Sequence, residues 1–105
     1  MRQFKPIELK QYLDNNAQPL LLDVREPWEF ELCHLSGAVL MPMSQLPHQL
    51  ETLNPHQETV VICHHGIRSQ HVGIFLERMG FTQIINLKGG IDAWARDLDP
   101  EMPTY

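Results

Sequence analysis

The sequence has few of the features that mark secreted, membrane or nucleic-acid-binding proteins. Two cysteines in 105 residues, Cys33 and Cys63, are too few for a disulfide scaffold, so we expect reduced thiols. Apolar stretches such as 19–24 and 60–63 are far shorter than the roughly 20 residues that cross a bilayer. The N-terminal residues lack the apolar core of a secretory signal. We therefore expect a cytoplasmic protein without a membrane partner.

Basic residues are also scarce. Eight lysines and arginines against 13 aspartates and glutamates give a formal net charge of −5, and no basic run is present. Because a phosphate backbone requires a basic surface, we do not expect nucleic acid as a partner. Hydrophobic content of 43% and charged content of 20% indicate neither disorder nor a fibrous class. The length suits one core, so we predict a single domain over residues 1–105 that is a monomer or a weak dimer.

Apolar patterns along the chain predict strands that alternate with helices. After a short N-terminal strand, further strands are predicted near 20–24, 37–41, 59–63 and 82–87. Helices are predicted near 7–13, 27–32, 44–53, 69–79 and 91–96. Ser44 and Ser69 are the expected caps of the helices that they begin, and Gly80 is the expected stop of the fourth helix. This alternation predicts an α/β fold with a small, mostly parallel sheet and helices on both faces.

The strongest predicted strand ends at Cys63 and leads into a loop that runs to Ser69. Ligands of open α/β sheets gather at the carboxyl ends of the strands, where unpaired amides and the helix dipole favour an anion. For a cysteine the useful anion is the thiolate, which is the nucleophilic form. Gly66 allows the loop to curl its amides around the sulfur, and Arg68 adds positive charge. Cys63 is therefore the predicted catalytic residue, with a small buried hydrophobe as the alternative.

Four segments, in order and at matching spacing, resemble the rhodanese domain family. The loop 63–69 resembles its active-site loop, in which a Cys and an Arg are separated by four residues including Gly and are followed by Ser. Residues 21–26 resemble its strand that ends in Asp-x-Arg, and residues 34–38 resemble its His-Ile-Pro-Gly-Ala segment. Residues 87–94 match its C-terminal Gly-Gly-x-x-x-Trp signature. The resemblance covers essentially the whole chain.

The resemblance implies a rhodanese-like fold and a sulfurtransferase activity. By analogy, Cys63 takes a sulfane sulfur from a small donor such as thiosulfate, holds it as a persulfide, and passes it to cyanide or a thiol. The acceptor thiol can belong to a carrier protein. The substrate-binding residues implied by the family's loop are His64, His65, Gly66, Ile67, Arg68 and Ser69. We expect no cofactor and no metal.

Several other side chains are predicted to support or serve the loop. Asp23 ends a buried strand, so its carboxylate is expected to accept hydrogen bonds that brace a neighbouring loop. The spacing of Asp23, Arg25 and Glu29 suggests an ionic cluster, with a solvated surface pair as the alternative. His34 is expected to orient a loop through a backbone hydrogen bond. Arg68 is expected to attract an anionic donor, in preference to pairing with a carboxylate.

The chain departs from the family pattern at Cys33, where Gly is usual, and at Ser36, where Pro is usual. We expect Cys33 to be a packed hydrophobe and not a resolving thiol that forms a disulfide with Cys63. His64 and His65 occupy loop positions that are often polar or basic in thiosulfate-using members. Because both are mostly neutral at pH 7, the physiological donor stays open.

Three other functions compete with sulfur transfer. A non-catalytic rhodanese-like binding module would not need Cys63, Gly66 and Arg68, which this chain retains. A cysteine-dependent phosphatase of the related fold has one more residue between its Cys and its Arg, because a phosphate needs more room than one sulfur atom. A metal site made from the cysteines and histidines of these segments lacks the usual ligand spacing.

Overall fold

A computed structural model describes all 105 residues as a five-stranded sheet with four α-helices. The strands are β1 (Arg2–Phe4), β2 (Leu20–Asp23), β3 (Val39–Leu40), β4 (Thr59–Ile62) and β5 (Ile84–Leu87). The helices are α1 (Pro6–Asp14), α2 (Pro27–Leu32), α3 (Ile67–Arg78) and α4 (Gly90–Leu98). The sheet order is β1-β5-β4-β2-β3, and every neighbouring pair is parallel. The predicted α/β fold with a parallel sheet is confirmed.

The central strands are mostly apolar and buried because both faces of the sheet are covered. Their side chains alternate between two separate cores. One core joins Leu22 and Val61 to Leu76 of α3. The other joins Val60 to Ile91 of α4, which packs beside α1. None of the helices is long and apolar enough to span a membrane.

The segment 44–53 differs from its prediction. It was expected to form one helix capped by Ser44, but it forms two 3₁₀ turns, Leu46–His48 and Leu50–Thr52. Pro47 disfavours a regular α conformation in the residue before it. The backbone bonds are accordingly of the shorter kind, such as that from the Gln49 N–H to the Leu46 carbonyl at 3.0 Å.

The loop that follows β4 lies at the sheet edge where β2, β4 and β5 end, and α4 docks against it. The N–H of Ile91 donates to the Cys63 carbonyl at 2.9 Å, and the N–H of Asp92 donates to the His64 carbonyl at 3.0 Å. A Cβ atom at Gly90 would lie 2.6 Å from the Cys63 carbonyl oxygen. The second glycine of the Gly-Gly pair is therefore required by the close approach of α4 to the loop.

We expect Gly90→Ala to destabilise the fold by about 2–4 kcal/mol, because its methyl group has to displace backbone atoms and its φ is positive. Gly37→Ala is the matched control, since Gly37 also has a positive φ but has open space at the Cβ position. It should lose only about 1–2 kcal/mol, the cost of the left-handed backbone. Urea denaturation measures both losses. Equal losses would show that the docking of α4 imposes no steric requirement at Gly90.

Candidate active site

Cys63 directly follows β4 and is 1% exposed, with its side chain in the core on the α3 side of the sheet. Two loop amides point at its sulfur. The N–H of Gly66 donates to Sγ at 3.0 Å and the N–H of Ser69 donates at 3.3 Å. The thiol itself lies 3.3 Å from the Ser69 Oγ, to which it donates. The sulfur is thus buried like a core residue and at the same time held by polar donors.

The other amides of the loop are available to an additional anion. Within the loop, the N–H groups that have no hydrogen-bond acceptor are those of His64, His65, Ile67 and Arg68. The carbonyl and the following N–H of a planar trans peptide point in opposite directions. Because α4 binds the carbonyls of Cys63 and His64, the next two N–H groups point away from α4. The loop therefore offers two amides to Sγ and keeps four unpaired.

Gly66 and Asn86 fix the shape of this loop. Gly66 has a φ of +91° and immediately precedes α3, so the helix begins at Ile67 and not at Ser69 as predicted. The Ser69 hydroxyl is used elsewhere, donating to the Asn86 Oδ1 at 2.5 Å. Asn86 Nδ2 in turn donates to the Gly66 carbonyl at 3.4 Å. Sequence reasoning missed Asn86, although a buried asparagine within an apolar strand was a usable signal.

Arg68 pairs with a carboxylate, the alternative that the sequence did not favour. Its Nη1 and Nη2 donate to the two carboxylate oxygens of Glu29 at 2.8 Å each. Glu29 is buried on α2. The hydrogen bonds from Arg68, with smaller support from Tyr105, lower the pKa of Glu29 to about 2 although burial opposes this. The same pair raises the pKa of Arg68 above its ordinary value.

Only part of the predicted ionic cluster forms. Asp23 and Arg25 are paired and fully buried, so the solvated surface pair is wrong, but the Glu29 carboxylate pairs with Arg68 and not with Arg25. Arg25 Nε and Nη2 donate to the Asp23 carboxylate at 2.9 and 2.7 Å. Arg25 also donates to the carbonyls of Glu29 at 3.3 Å and Cys33 at 2.7 Å, which braces the end of α2. Burial opposes its charge, but the bonds with Asp23 and Tyr105 raise the pKa of Arg25 above its usual range.

Tyr105 joins the two ion pairs. Its hydroxyl accepts a hydrogen bond from Arg25 Nη1 at 2.9 Å and donates to Glu29 Oε2 at 2.6 Å. Its ring stacks on His64 with centroids 3.8 Å apart. Burial, followed by the bond to Glu29, raises the pKa of Tyr105 to about 12. No local pattern marks this residue, since its partners are 76 and 80 positions away in the sequence.

The remaining predicted side chains are placed as follows. Burial, and then the neighbouring His65, lower the pKa of His64, which favours its neutral form. His65 is exposed. His34 Nδ1 donates to the Phe30 carbonyl at 2.8 Å, so the expected backbone bond is confirmed, at the end of α2. Cys33 is 8% exposed, unpaired and packed in the second core, as expected of a packed hydrophobe.

Metal-ligating side chains come together in one place. Ligand atoms of His64, His65 and Asp92 lie within 4.8 Å of one another. Neither cysteine belongs to this group, so the set considered from the sequence does not assemble. The Asp92 carboxylate is already paired with Arg96 at 3.1 Å. The three groups have the donor types that suit zinc and similar ions.

Wild-type stability should fall in acid by an amount traceable to Glu29. Its pKa lies below the ordinary 4.5, at about 2, which corresponds to about 3 kcal/mol. Because the folded-state pKa is the lower one, this contribution is complete above pH 4.5 and disappears as the pH falls toward 2. Urea unfolding measures the free energy of unfolding of the wild type and of Glu29→Gln between pH 7 and pH 2.5. Plotted against pH, the two free energies should converge in acid.

Glu31→Gln controls for net charge, because Glu31 is an exposed residue of the same helix. A wild-type advantage over Glu29→Gln that stays constant with pH would contradict the ionised pair.

The sequence is similar to that of known rhodanese-like proteins. The family model of the rhodanese-like domain matches residues 5–97. Over 102 residues the chain is 35% identical to a Mycobacterium tuberculosis protein named probable adenylyltransferase/sulfurtransferase MoeZ, covering 95% of this chain and 26% of that protein. Over 88 residues it is 33% identical to a protein of Allochromatium vinosum named sulfurtransferase, covering 84% of this chain and 82% of that one.

The fold is also similar to solved structures of rhodanese-like domain proteins. The crystal structure of a rhodanese-like domain protein from Staphylococcus aureus is 28% identical, with a TM-score of 0.85 over 100% of this chain and 99% of that one. This chain nevertheless spans about a quarter of the length of MoeZ and 46% of the Bacillus subtilis protein named putative sulfur carrier protein YrkF. The match in sequence, fold and loop leads to one conclusion: this chain belongs to the rhodanese-like domain family.

Proposed function

We propose that this protein is a sulfurtransferase that carries a sulfane sulfur as a persulfide on Cys63. The observation that carries the proposal is the donor set around Sγ, namely two main-chain N–H groups at 3.0 and 3.3 Å. Main-chain donors stabilise an anionic sulfur and cannot be titrated away. Relatives named sulfurtransferases and a sulfur carrier support the same reaction class.

The first half-reaction loads the cysteine. Cys63 loses its proton to water, and the amides of Gly66 and Ser69 hold the resulting thiolate. The thiolate attacks the sulfane sulfur of the donor, so that a new S–S bond forms at Sγ while the bond in the donor breaks. The leaving group departs with the electron pair, as sulfite from thiosulfate or as a thiolate from a persulfide.

The second half-reaction removes the sulfur from Cys63. Cyanide or an acceptor thiolate attacks the outer sulfur of the persulfide, and the Cys63 thiolate leaves with the electron pair. Thiocyanate or a new persulfide is the product. The outer sulfur needs its own donors while it is charged, and the loop supplies unpaired amides at His64, His65, Ile67 and Arg68. Two displacements on one cysteine give ping-pong kinetics.

We propose a thiol on a carrier protein or a small molecule as the acceptor. The names of MoeZ and YrkF, an adenylyltransferase/sulfurtransferase and a sulfur carrier, support a protein-borne thiol. The cycle requires a reduced Cys63, which is why we place the protein in the cytoplasm.

Incubation with a sulfane donor should add one sulfur atom to Cys63, visible in the mass of the intact protein and removed by cyanide. Cys63→Ser should abolish the uptake, because serine cannot form a persulfide. Cys33→Ser is the matched control and should retain it, since Cys33 packs in the second core and the loop amides donate to Cys63 instead.

Uptake that survives Cys63→Ser and is lost in Cys33→Ser would assign the nucleophile to the wrong cysteine. Cys63-dependent hydrolysis of a generic aryl phosphate, without any sulfur uptake, would replace the proposal with a phosphatase.

A further inference from the structure

The hydroxyl of Ser69 lies between the sulfur of the loop cysteine and a side chain of β5. Its Oγ is 3.3 Å from Cys63 Sγ and 2.5 Å from Asn86 Oδ1, and all three side chains are buried. A hydroxyl has one hydrogen and two lone pairs, so it donates to only one of these two neighbours. The direction of that single hydrogen decides whether Ser69 stabilises the thiol or the thiolate of Cys63.

The amide of Asn86 determines this direction. Its NH₂ group donates to the Gly66 carbonyl at 3.4 Å, and a main-chain carbonyl can only accept. The same NH₂ group donates to Oε1 of Gln3 at 2.8 Å and to Oε1 of Gln70 at 3.2 Å. If the amide were turned over, its oxygen would face the oxygen of the Gly66 carbonyl. The NH₂ group therefore faces Gly66, and the Asn86 oxygen faces Ser69.

The lone pairs of Ser69 are consequently what the sulfur meets. An amide oxygen carries no hydrogen, so the Ser69 hydroxyl has to donate to Asn86. The Cys63 thiol in turn donates to Ser69 Oγ. A lone pair accepts a hydrogen bond from a thiol, but it repels a thiolate. The hydroxyl thus opposes the two main-chain N–H groups, those of Gly66 and of Ser69 itself, that donate to Sγ.

The groups bonded to Sγ carry no charge, and the side chains that pack around it in its core are apolar. The charged side chains of the elements around the loop are held in ion pairs, namely Asp23 with Arg25 after β2, Glu29 of α2 with Arg68 of α3, and Asp92 with Arg96 on α4. The other titratable groups beside the loop are His64, whose lowered pKa favours the neutral form, and the exposed side chains of His65, His71 and Lys88. A neutral substitution at Asn86 changes none of these charges.

Building on the proposed sulfur transfer, we propose that Asn86 is a positioning residue that holds the resting Cys63 in its thiol form: by accepting the hydrogen of the Ser69 hydroxyl, it leaves only lone pairs facing the sulfur. Asn86 acts through Ser69. When Cys63 ionises, its proton goes to water and the hydroxyl keeps its own hydrogen. The two main-chain N–H groups then donate to the thiolate, and the hydroxyl can join them only by leaving Asn86.

The test is a pH titration of Cys63 followed by the ultraviolet absorbance of the thiolate, with Cys63→Ser in each background as the blank. Asn86→Leu has a similar size but no acceptor, so the Ser69 hydroxyl can turn and donate to the thiolate. The midpoint of the titration should fall by about one pH unit, the effect of one charge-assisted hydrogen bond. In a Ser69→Ala background there is no hydroxyl to turn, so adding Asn86→Leu should leave the midpoint unchanged.

Asn86→Asp is the matched control. Its carboxylate loses the bond to the Gly66 carbonyl, as leucine does, but it still accepts the hydrogen of Ser69. Its midpoint should therefore stay at or above that of the wild type, and a fall would assign the effect to the lost bond at Gly66. A midpoint that stays or rises in Asn86→Leu, or that falls equally in the Ser69→Ala background, would show that Asn86 does not act through the hydroxyl. Each of these three results overturns the inference.

A vibrational measurement covers the case in which Asn86→Leu fails to fold. In Raman spectra near neutral pH, the S–H stretching band of Cys63, identified by its loss in Cys63→Ser, should have the lowered frequency of a thiol that donates a hydrogen bond. Ser69→Ala removes the acceptor and should raise this frequency. A missing Cys63 band, which means a resting thiolate, or a frequency that Ser69→Ala does not change would refute the role of Asn86.

The titration needs no sulfur donor, so the two proposals fail separately. If Cys63 of the wild type takes up no sulfur, sulfur transfer itself is wrong. If Cys63 takes up sulfur and its titration midpoint is not shifted by Asn86→Leu, sulfur transfer stands and the role of Asn86 is refuted.

Discussion

The site depends on two hydrogen bonds that join α4 to the loop after β4. The first amides of α4 bind the carbonyls of Cys63 and His64. Since a peptide group is planar, fixing its carbonyl on one side fixes its N–H on the other. The helix thereby turns the loop amides away from itself, and the absent side chain of Gly90 allows the approach. The Gly-Gly pair, distant in sequence from the cysteine, thus sets the direction of the His64 and His65 N–H groups in the loop.

A second set of contacts ties the loop to the other side of the sheet edge. The buried pair of Asp23 and Arg25 holds the carbonyls at the end of α2, and α2 presents Glu29 to Arg68. Tyr105 connects Arg25 to Glu29. Breaking such a buried network exposes uncompensated charge to a low dielectric, which is why its members stabilise one arrangement of the loop.

Local signals in the sequence were sufficient for the fold and for the position of Cys63 next to donating loop amides. The β-branched run 59–62 predicted β4, and Gly66 marked the turn that brings amides to Cys63. Local signals failed where the partner is far away in the chain. Arg68 and Glu29 are 39 positions apart in the sequence, and Tyr105 and Arg25 are 80 positions apart, so neither contact has a short-range pattern. The prediction of one helix over 44–53 was wrong because Pro47 interrupts an otherwise helical pattern.

The burial of Cys63 has a consequence for the lifetime of its thiol. A thiolate on an open surface is oxidised stepwise to sulfenic and then to sulfinic acid. Here the sulfur is 1% exposed beneath the curled loop. Any reagent, whether peroxide or foreign thiol, must displace or enter the loop before it touches sulfur. For the proposed sulfur transfer, this burial means that a donor or acceptor has to fit the loop, and it also shields the thiol from oxidants in solution.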